Sequence, residues 1–491
     1  MFIRNILEAM EAVIARRGEN NTRRKIPGSG AAHSAPAGSD ACDGCGKICR
    51  AEDLVRLNDY DSPQLTLLFF NLREQFPELT PDSRLCRACL EKAERALQER
   101  QILRVKGELF YADPELGTVP ILSTPERVNA SPRFTGRGVT MALVDSGFAP
   151  HPDLILPVNR VLAVYDAVND REIRDFEWDF SEEPPVQAWH GTMTAAVAAG
   201  SGHLSGGRYR GIASGANLVL VKSMTPDGHI RTPQVKAALQ WILANHEKYG
   251  IRIVNLSLGV DESTRSMKHP VIALVEELVR RGVVVVAASG NNPSRPLVPP
   301  GSAPSAITVG GYNDRNSLDW SRRDLWHSSR GKSPNGVQKP DLLGPAIWVA
   351  APILLRTGVK SEAEALFYMA GADDETLMRC IPVLAHETGI TQSLLGAESS
   401  LHARSLVLER IRREKQINPH YKHVDGTSFA APIVASIAAQ ILEADPGCSP
   451  QMVKERLTKT AERIPGVASE MQGFGLVHAD TALERTLAGV S

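Results

Sequence analysis

GVTMALVD, residues 138–145, is a run of β-branched and apolar residues that ends on a carboxylate. Three more runs share its character: NLVLVKS (217–223), RIVNLSL (252–258) and GVVVVAAS (282–289). Each is apolar at consecutive positions, without the alternation of a strand that has one wet face. Such strands belong in a parallel sheet covered on both sides. The segments between them, including TPQVKAALQWILANHEKYG (232–250) and HPVIALVEELVRRG (269–282), have apolar residues at helical spacing and close on glycine, so they are expected to be the covering helices. The fold class read from this pattern is α/β, a doubly wound and mostly parallel sheet whose functional groups lie at the carboxyl ends of the strands.

Three further segments flank or interrupt this pattern. MFIRNILEAMEAVIARR (1–17) reads as an amphipathic helix, and GENNTRRKIPGSGAAHSAPAGSD (18–40), without apolar period, reads as a linker. Residues 41–108 form a small cysteine-bearing module that ends in a helix. The α/β domain is expected over 131–491, interrupted by an insertion at 354–422. That insertion reads as helical throughout, through SEAEALFYMAG (361–371), DDETLMRCIPVLAHETG (373–389) and ESSLHARSLVLERIRREKQI (398–417).

With 491 residues and 43% apolar content the chain can build a large rigid core. Its formal charge of -1 argues against nucleic acid or an anionic membrane as a partner. The basic group Arg16, Arg17, Arg23, Arg24 and Lys25 reads as a solvated tail. Glu8 and Glu11 sit where a secretory signal would have its apolar centre, so the expected location is cytoplasmic.

Three polar residues stand at element boundaries. Asp145 ends the first strand, and a carboxylate there loses solvation and needs a partner or a purpose. His190 opens HGTMTAAVAAG (190–200), and Ser428 lies in GTSFAAPIVA (426–435), each ahead of a run of small residues suited to tight helix packing. Singly, each has a bland reading: a turn cap, a structural histidine, a helix N-cap. Together they occur in the order Asp, His, Ser, one of the convergent orders of the serine triad.

On these residues the chain resembles the subtilisin-like serine peptidases, the subtilases. VTMALVDSGFAPHPDL (139–154), HGTMTAAVAAG and GTSFAAPIVA match the three catalytic motifs. IVNLSLG (253–259), VVVVAASGNN (283–292) and PGSAPSAITVGG (300–311) match further parts of the core. The resemblance implies a serine endopeptidase acting on extended polypeptide. Ser428 would be the nucleophile, His190 the general base, Asp145 its orienting carboxylate and Asn291 the oxyanion amide, with Asn292 the local competitor. It also implies that substrate pairs along Ser257, Leu258 and Gly259, with Gly259 permitting close approach, and that Ala288, Ser289 and Gly290 line the primary pocket. Met193 stands where many members carry a second histidine, and the calcium sites common in the family are not traceable. The rival reading is a catalytically silent subtilase fold serving as a binding or scaffold protein.

CDGCGKIC (42–49) and CRAC (86–89) supply two C-x-x-C pairs. Cys42, Cys45, Cys86 and Cys89 fit a tetrahedral structural zinc site, with Cys49 a bystander. Metal affinity then serves as folding free energy for a module too small to build a good core. This module and the helical insertion are candidate surfaces for a protein partner.

Overall fold

The computed structural model describes residues 39–43, 46–56, 79, 83–90, 111–113, 117–119, 121–173, 176, 184–260 and 262–489. Packing divides the chain into two units. One takes residues 1–107, 180–182 and 356–413; the other takes 108–179, 183–355 and 414–491. The expected N-terminal helix and linker lie outside the described residues, apart from the short strand Ser39–Ala41.

The larger unit is built on one nine-stranded sheet. Its strands are β1 Thr140–Asp145, β2 Val161–Asp166, β3 Arg171–Ile173, β4 Asn217–Lys222, β5 Ile251–Leu256, β6 Val284–Ala288, β7 Ile307–Asn313, β8 Asp324–Leu325 and β9 Leu342–Pro345. They run in the order β8-β7-β6-β5-β1-β4-β2-β3, with β9 paired to β7. Every pairing is parallel except β7 with β8 and β2 with β3. Because β4 inserts between β1 and β2, the chain must cross β1 to lay down β5 on the other side. That crossing is the topological switch point, where the ends of adjacent strands open a crevice.

The doubly apolar strands divide their side chains between two cores. Met141 and Leu143 of β1 and Leu218 and Leu220 of β4 join one core, which also holds α1 Ala188–Ala199. Ala142, Val144, Val219 and Val221 join the opposite core with α2 Thr232–Tyr249 and α3 Pro270–Arg280. α2 ends at Gly250 in the left-handed conformation, and α3 ends just before Gly282, as the glycine positions suggested.

The segment after β10 Val349–Pro352 forms four helices: α4 Gly358–Gly371, α5 Asp374–Leu384, α6 Thr391–Leu395 and α7 Ser400–Arg413. They enclose Leu366, Met369, Leu377, Ile381, Val407 and Ile411, all nearly inaccessible, together with the ion pair Lys360–Glu364. Helix does not extend to 422, however. β11 Gln416–Asn418 and β12 Tyr421–Val424 are strands, joined with β10 in an antiparallel sheet ordered β10-β12-β11. These strands are three and four residues long and carry polar side chains, so no local period could reveal them.

α8 Thr427–Ala444 is apolar and long enough by composition to cross a bilayer, but 83% of it is buried inside the protein as the central core helix. Its small side chains let it approach α1 closely, to the point where the Ser436 hydroxyl donates to the Ala198 carbonyl at 2.9 Å. α9 Pro450–Lys459 and α10 Ala479–Ala488 complete this face.

The N-terminal described residues are short antiparallel pairs: Ser39–Ala41 with Ile48–Arg50, and Leu54–Arg56 with Arg84–Cys86. Residues 87–90 are helical; the remainder of the helix expected there lies outside the described residues.

Candidate active site

β1 delivers Asp145 to the switch point, where its side chain is 1% exposed. Burial there is tolerable because donors surround the carboxylate. Oδ1 accepts the Ser146 backbone N–H at 2.6 Å and the His190 Nδ1 hydrogen at 2.6 Å, while Oδ2 accepts the Thr194 hydroxyl at 3.0 Å. A carboxylate only accepts, so the proton of neutral His190 sits on Nδ1 and its Nε2 is left as a base.

His190 lies in the first turn of α1, which approaches the turn after β1 very closely. A Cβ on Gly191 would stand 2.1 Å from the Gly147 carbonyl oxygen, so this position has room only for hydrogen. Thr194 is one turn further along the same helix face, and the i,i+4 spacing lets His190 and Thr194 grip one carboxylate. Burial acts to lower the His190 pKa, but the Asp145 charge and hydrogen bond outweigh it and the net shift is upward. Its ring also meets Trp189 edge-on, at 5.3 Å between centroids.

Ser428 stands at the start of α8 and is half-buried. The next residue, Phe429, sets its ring 5.5 Å from that of His190, so the first turn of α8 lies beside the first turn of α1. The Ser428 carbonyl accepts the Ser257 hydroxyl at 2.7 Å, and Ser257 in turn accepts from the Asn255 amide at 2.9 Å. β5 and α8 are thereby pinned together beneath the serine.

Asn291 follows β6. Its Oδ1 is fully engaged by Thr427, through the backbone N–H at 3.0 Å and the hydroxyl at 2.8 Å, which fixes the amide with Nδ2 on the other side. Gly426 has φ +135°, and the position its missing Cβ would take lies 3.3 Å from Asn291 Nδ2 and 3.7 Å from Ser428 N. Asn291 Nδ2 and the Ser428 nitrogen thus both lie next to Gly426, with Asn291 Oδ1 also 3.7 Å away. Asn292 instead accepts the Ser294 N–H in its own exposed turn.

The remaining expected positions are distributed as follows. Ser257 and Leu258 are buried and Gly259 is exposed. The vacancy at Gly259 faces the chain's own Val298, 2.7 Å from a would-be Cβ, so the glycine answers to an internal contact. Ala288 and Ser289 are buried, and the Gly290 N–H donates to the Thr427 hydroxyl at 3.1 Å. Met193 is packed into the core behind α1. Thr194 and Thr427 were not singled out from sequence, although both lie inside quoted motifs; the helical i,i+4 offset from His190 could have revealed Thr194.

Among the cysteines, the sulfurs of Cys42, Cys86 and Cys89 all lie within 4.8 Å of one another. Cys42 and Cys89 are separated by 3.8 Å, and the Cys86 backbone N–H donates to Cys42 Sγ at 3.2 Å. With Zn–S bonds of about 2.3 Å, sulfurs at two corners of a tetrahedron are about 3.8 Å apart. The donor set therefore has dimensions suited to a thiophilic metal. Cys45 lies outside the described residues. Cys49 forms no part of this cluster and bonds the Lys47 carbonyl.

Residues 136–475 match the Subtilase family, peptidase S8. The serine protease AprX of Bacillus subtilis (strain 168) is 28% identical over 366 residues, covering 73% of this chain and 69% of AprX. Subtilisin BL of Lederbergia lenta is 24% identical over 351 residues, 71% of this chain and 92% of that protein. Among solved structures, fervidolysin from Fervidobacterium pennivorans, described as a keratinolytic enzyme related to subtilisin, aligns with a TM-score of 0.49 at 20% identity. That alignment covers 76% of this chain, which spans about half (49%) of the fervidolysin chain.

Proposed function

The chain belongs to the subtilase family of serine peptidases, and from that premise we propose that Asp145, His190 and Ser428 are its catalytic triad, with Asn291 completing the oxyanion site. An amide carbonyl resists a neutral hydroxyl. His190 Nε2 takes the Ser428 proton as Oγ bonds to the carbonyl carbon, and the buried Asp145 carboxylate stabilises the imidazolium that forms. The carbonyl oxygen, now negative, is received between Asn291 Nδ2 and the Ser428 N–H. Because Thr427 already holds the Asn291 amide in place, little reorganisation is needed as charge develops. His190 then returns the proton to the departing amine, and water releases the acyl group by the same steps in reverse roles.

The observation that carries this reading is the 2.6 Å bond between a buried carboxylate and a histidine whose ring lies 5.5 Å from that of Phe429, the residue after Ser428 in the first turn of α8. Extended polypeptide is the proposed substrate, laid main chain to main chain beside Ser257 to Gly259, with Ala288 to Gly290 forming the primary pocket. In the N-terminal unit, Cys42, Cys86, Cys89 and Cys45 are the proposed ligands of a structural zinc ion. Thiolate ligation of this kind suits a reducing, cytoplasmic setting.

A fluorophosphonate probe tests the assignment. Wild-type protein is expected to be labelled at Ser428, with labelling abolished in Ser428→Ala and reduced at least a hundredfold in His190→Ala, in line with the contribution of a general base. Labelling elsewhere, or equal labelling of the His190 variant, would overturn it.

A further inference from the structure

We infer that Lys415 and Asp425 are positioning residues for the proposed reaction: the ammonium neutralises and orients a carboxylate three positions ahead of Ser428, holding the turn that presents the nucleophile. This rests on the assignment of Ser428 as nucleophile.

The turn in question, Asp425 and Gly426, joins β12 to α8 and continues from His423 and Val424 at the end of β12. It is tied to the facing segment Ala346 to Trp348 at three points. The Gly426 N–H donates to the Ala346 carbonyl at 2.7 Å, the Trp348 N–H donates to Asp425 Oδ1 at 3.0 Å, and His423 Nδ1 bonds the Trp348 carbonyl at 2.9 Å. The facing segment is itself anchored. The guanidinium of Arg127, fully buried and paired with Asp314 at 2.7 and 2.8 Å, donates to the carbonyls of Ile347 and Trp348 at 2.6 and 3.0 Å.

Lys415 closes the arrangement from the other side. Its ammonium bonds Asp425 Oδ2 and lies 4.5 Å from the centroid of the Trp348 ring, satisfied by a charge and an aromatic face at once. The Lys415 carbonyl accepts the His423 N–H at 2.7 Å, so backbone and side chain both reach the turn. Lys415 and Trp348 each have φ +56°, a left-handed conformation that residues other than glycine keep only where their surroundings hold them. Lys415 is also the second residue after α7, the last helix of the inserted segment.

A charge at Asp425 matters because of where it sits. It adjoins Gly426, which borders the space shared by Asn291 Nδ2 and Ser428 N. Negative charge develops in that space during acyl transfer. Without Lys415 the Asp425 carboxylate, one residue from Gly426, keeps only the charge of buried Arg127 and the Trp348 N–H for compensation, and its remaining negative charge opposes the transition state more than the bound substrate. Both side chains remain about one-third exposed, 33% and 28%, so water screens part of the effect and a moderate change is expected.

The test uses full-length protein, kcat and KM on a chromogenic peptide anilide, fluorophosphonate labelling rates, and thermal melts. Lys415→Met is expected to lower kcat and the labelling rate about tenfold with KM within about twofold, and Lys415→Arg to retain most activity. The double variant Lys415→Met with Asp425→Asn removes both charges while the amide oxygen still accepts from Trp348; it should return to within about threefold of wild type. An unchanged Lys415→Met, a double variant as slow as Lys415→Met, or a rate loss that tracks the fall in melting temperature would each overturn the inference. Should Lys415→Met not fold, Lys415→Gln with Asp425→Asn decides it: activity within about threefold of wild type supports the inference and a greater loss overturns it. If wild type is not labelled at Ser428, the peptidase assignment fails and this inference falls with it. If wild type is labelled and Lys415→Met reacts as fast, the inference alone fails.

Discussion

At the scale of single residues, the site is a problem of placing charge where water is scarce. Asp145 survives burial because three donors meet it, and one of those donors, His190, is the group whose basicity the proposed chemistry needs. The upward shift of the His190 pKa makes activity and stability respond to pH in opposite senses. The proposed mechanism needs the neutral ring, so the acidic limb of kcat/KM is expected to have its midpoint above the ordinary value of 6.5, read from a pH–rate profile. The folded state, by contrast, favours the protonated ring. Its contribution to stability is complete below pH 6.5 and disappears as pH rises through the folded-state pKa. Comparing melts of wild type and His190→Ala on either side of that range should show a difference that shrinks at high pH. Asp145→Asn is expected to lower kcat by about four orders of magnitude by removing the charge that selects the tautomer. Asn291→Ala should cost about 100- to 1000-fold, measured on the same substrate.

Elements explain why those residues meet. α1 and α8 both begin with a Gly-Thr-containing turn and continue in small side chains, so each can press its first turn against a strand end without steric cost. The tolerance is narrow. Gly191→Ala would put a methyl group 2.1 Å from the Gly147 oxygen, and the start of α1 must then move away from β1. A folded protein with kcat reduced by more than about a hundredfold is the expected result, since a shift near 1 Å in a catalytic group has about that effect; circular dichroism alongside kinetics would check it. In the N-terminal unit, Cys42, Cys86 and Cys89 lie in a turn, a short strand and a helical turn, so metal is expected to join pieces that share little core. Elemental analysis should find about one zinc per chain, reduced to less than about a tenth in a Cys42→Ser, Cys86→Ser variant.

For the whole molecule, the sheet is the instrument that converts sequence order into proximity. Asp145, His190, Asn291 and Ser428 are spread over 284 positions of the chain, and it is the reversal of strand order at β1 that brings the elements carrying Asp145 and Asn291 to the carboxyl edge of the sheet. Rigidity there depends on two full cores, so Leu143→Ala, completely buried on β1, should lower unfolding free energy by about 2–5 kcal/mol in a denaturant titration. Much of this was legible in the linear chain. Apolar residues at consecutive positions in four segments require covering on both faces, and that demand alone implies the α/β sheet; the Asp, His and Ser motifs stand out as polar residues at element boundaries ahead of small-residue runs. What the chain alone could not disclose were relations across distance: that Thr427 fixes the Asn291 amide, that Gly259 makes room for Val298, that Ser257 lies under Ser428, and that 416–424 forms strands within what reads as helix. Patterning is a local property, dictated by which side chains avoid water within one element. Which polar groups then satisfy one another is settled only when separate elements dock, because a buried donor takes whichever acceptor the packing places within reach.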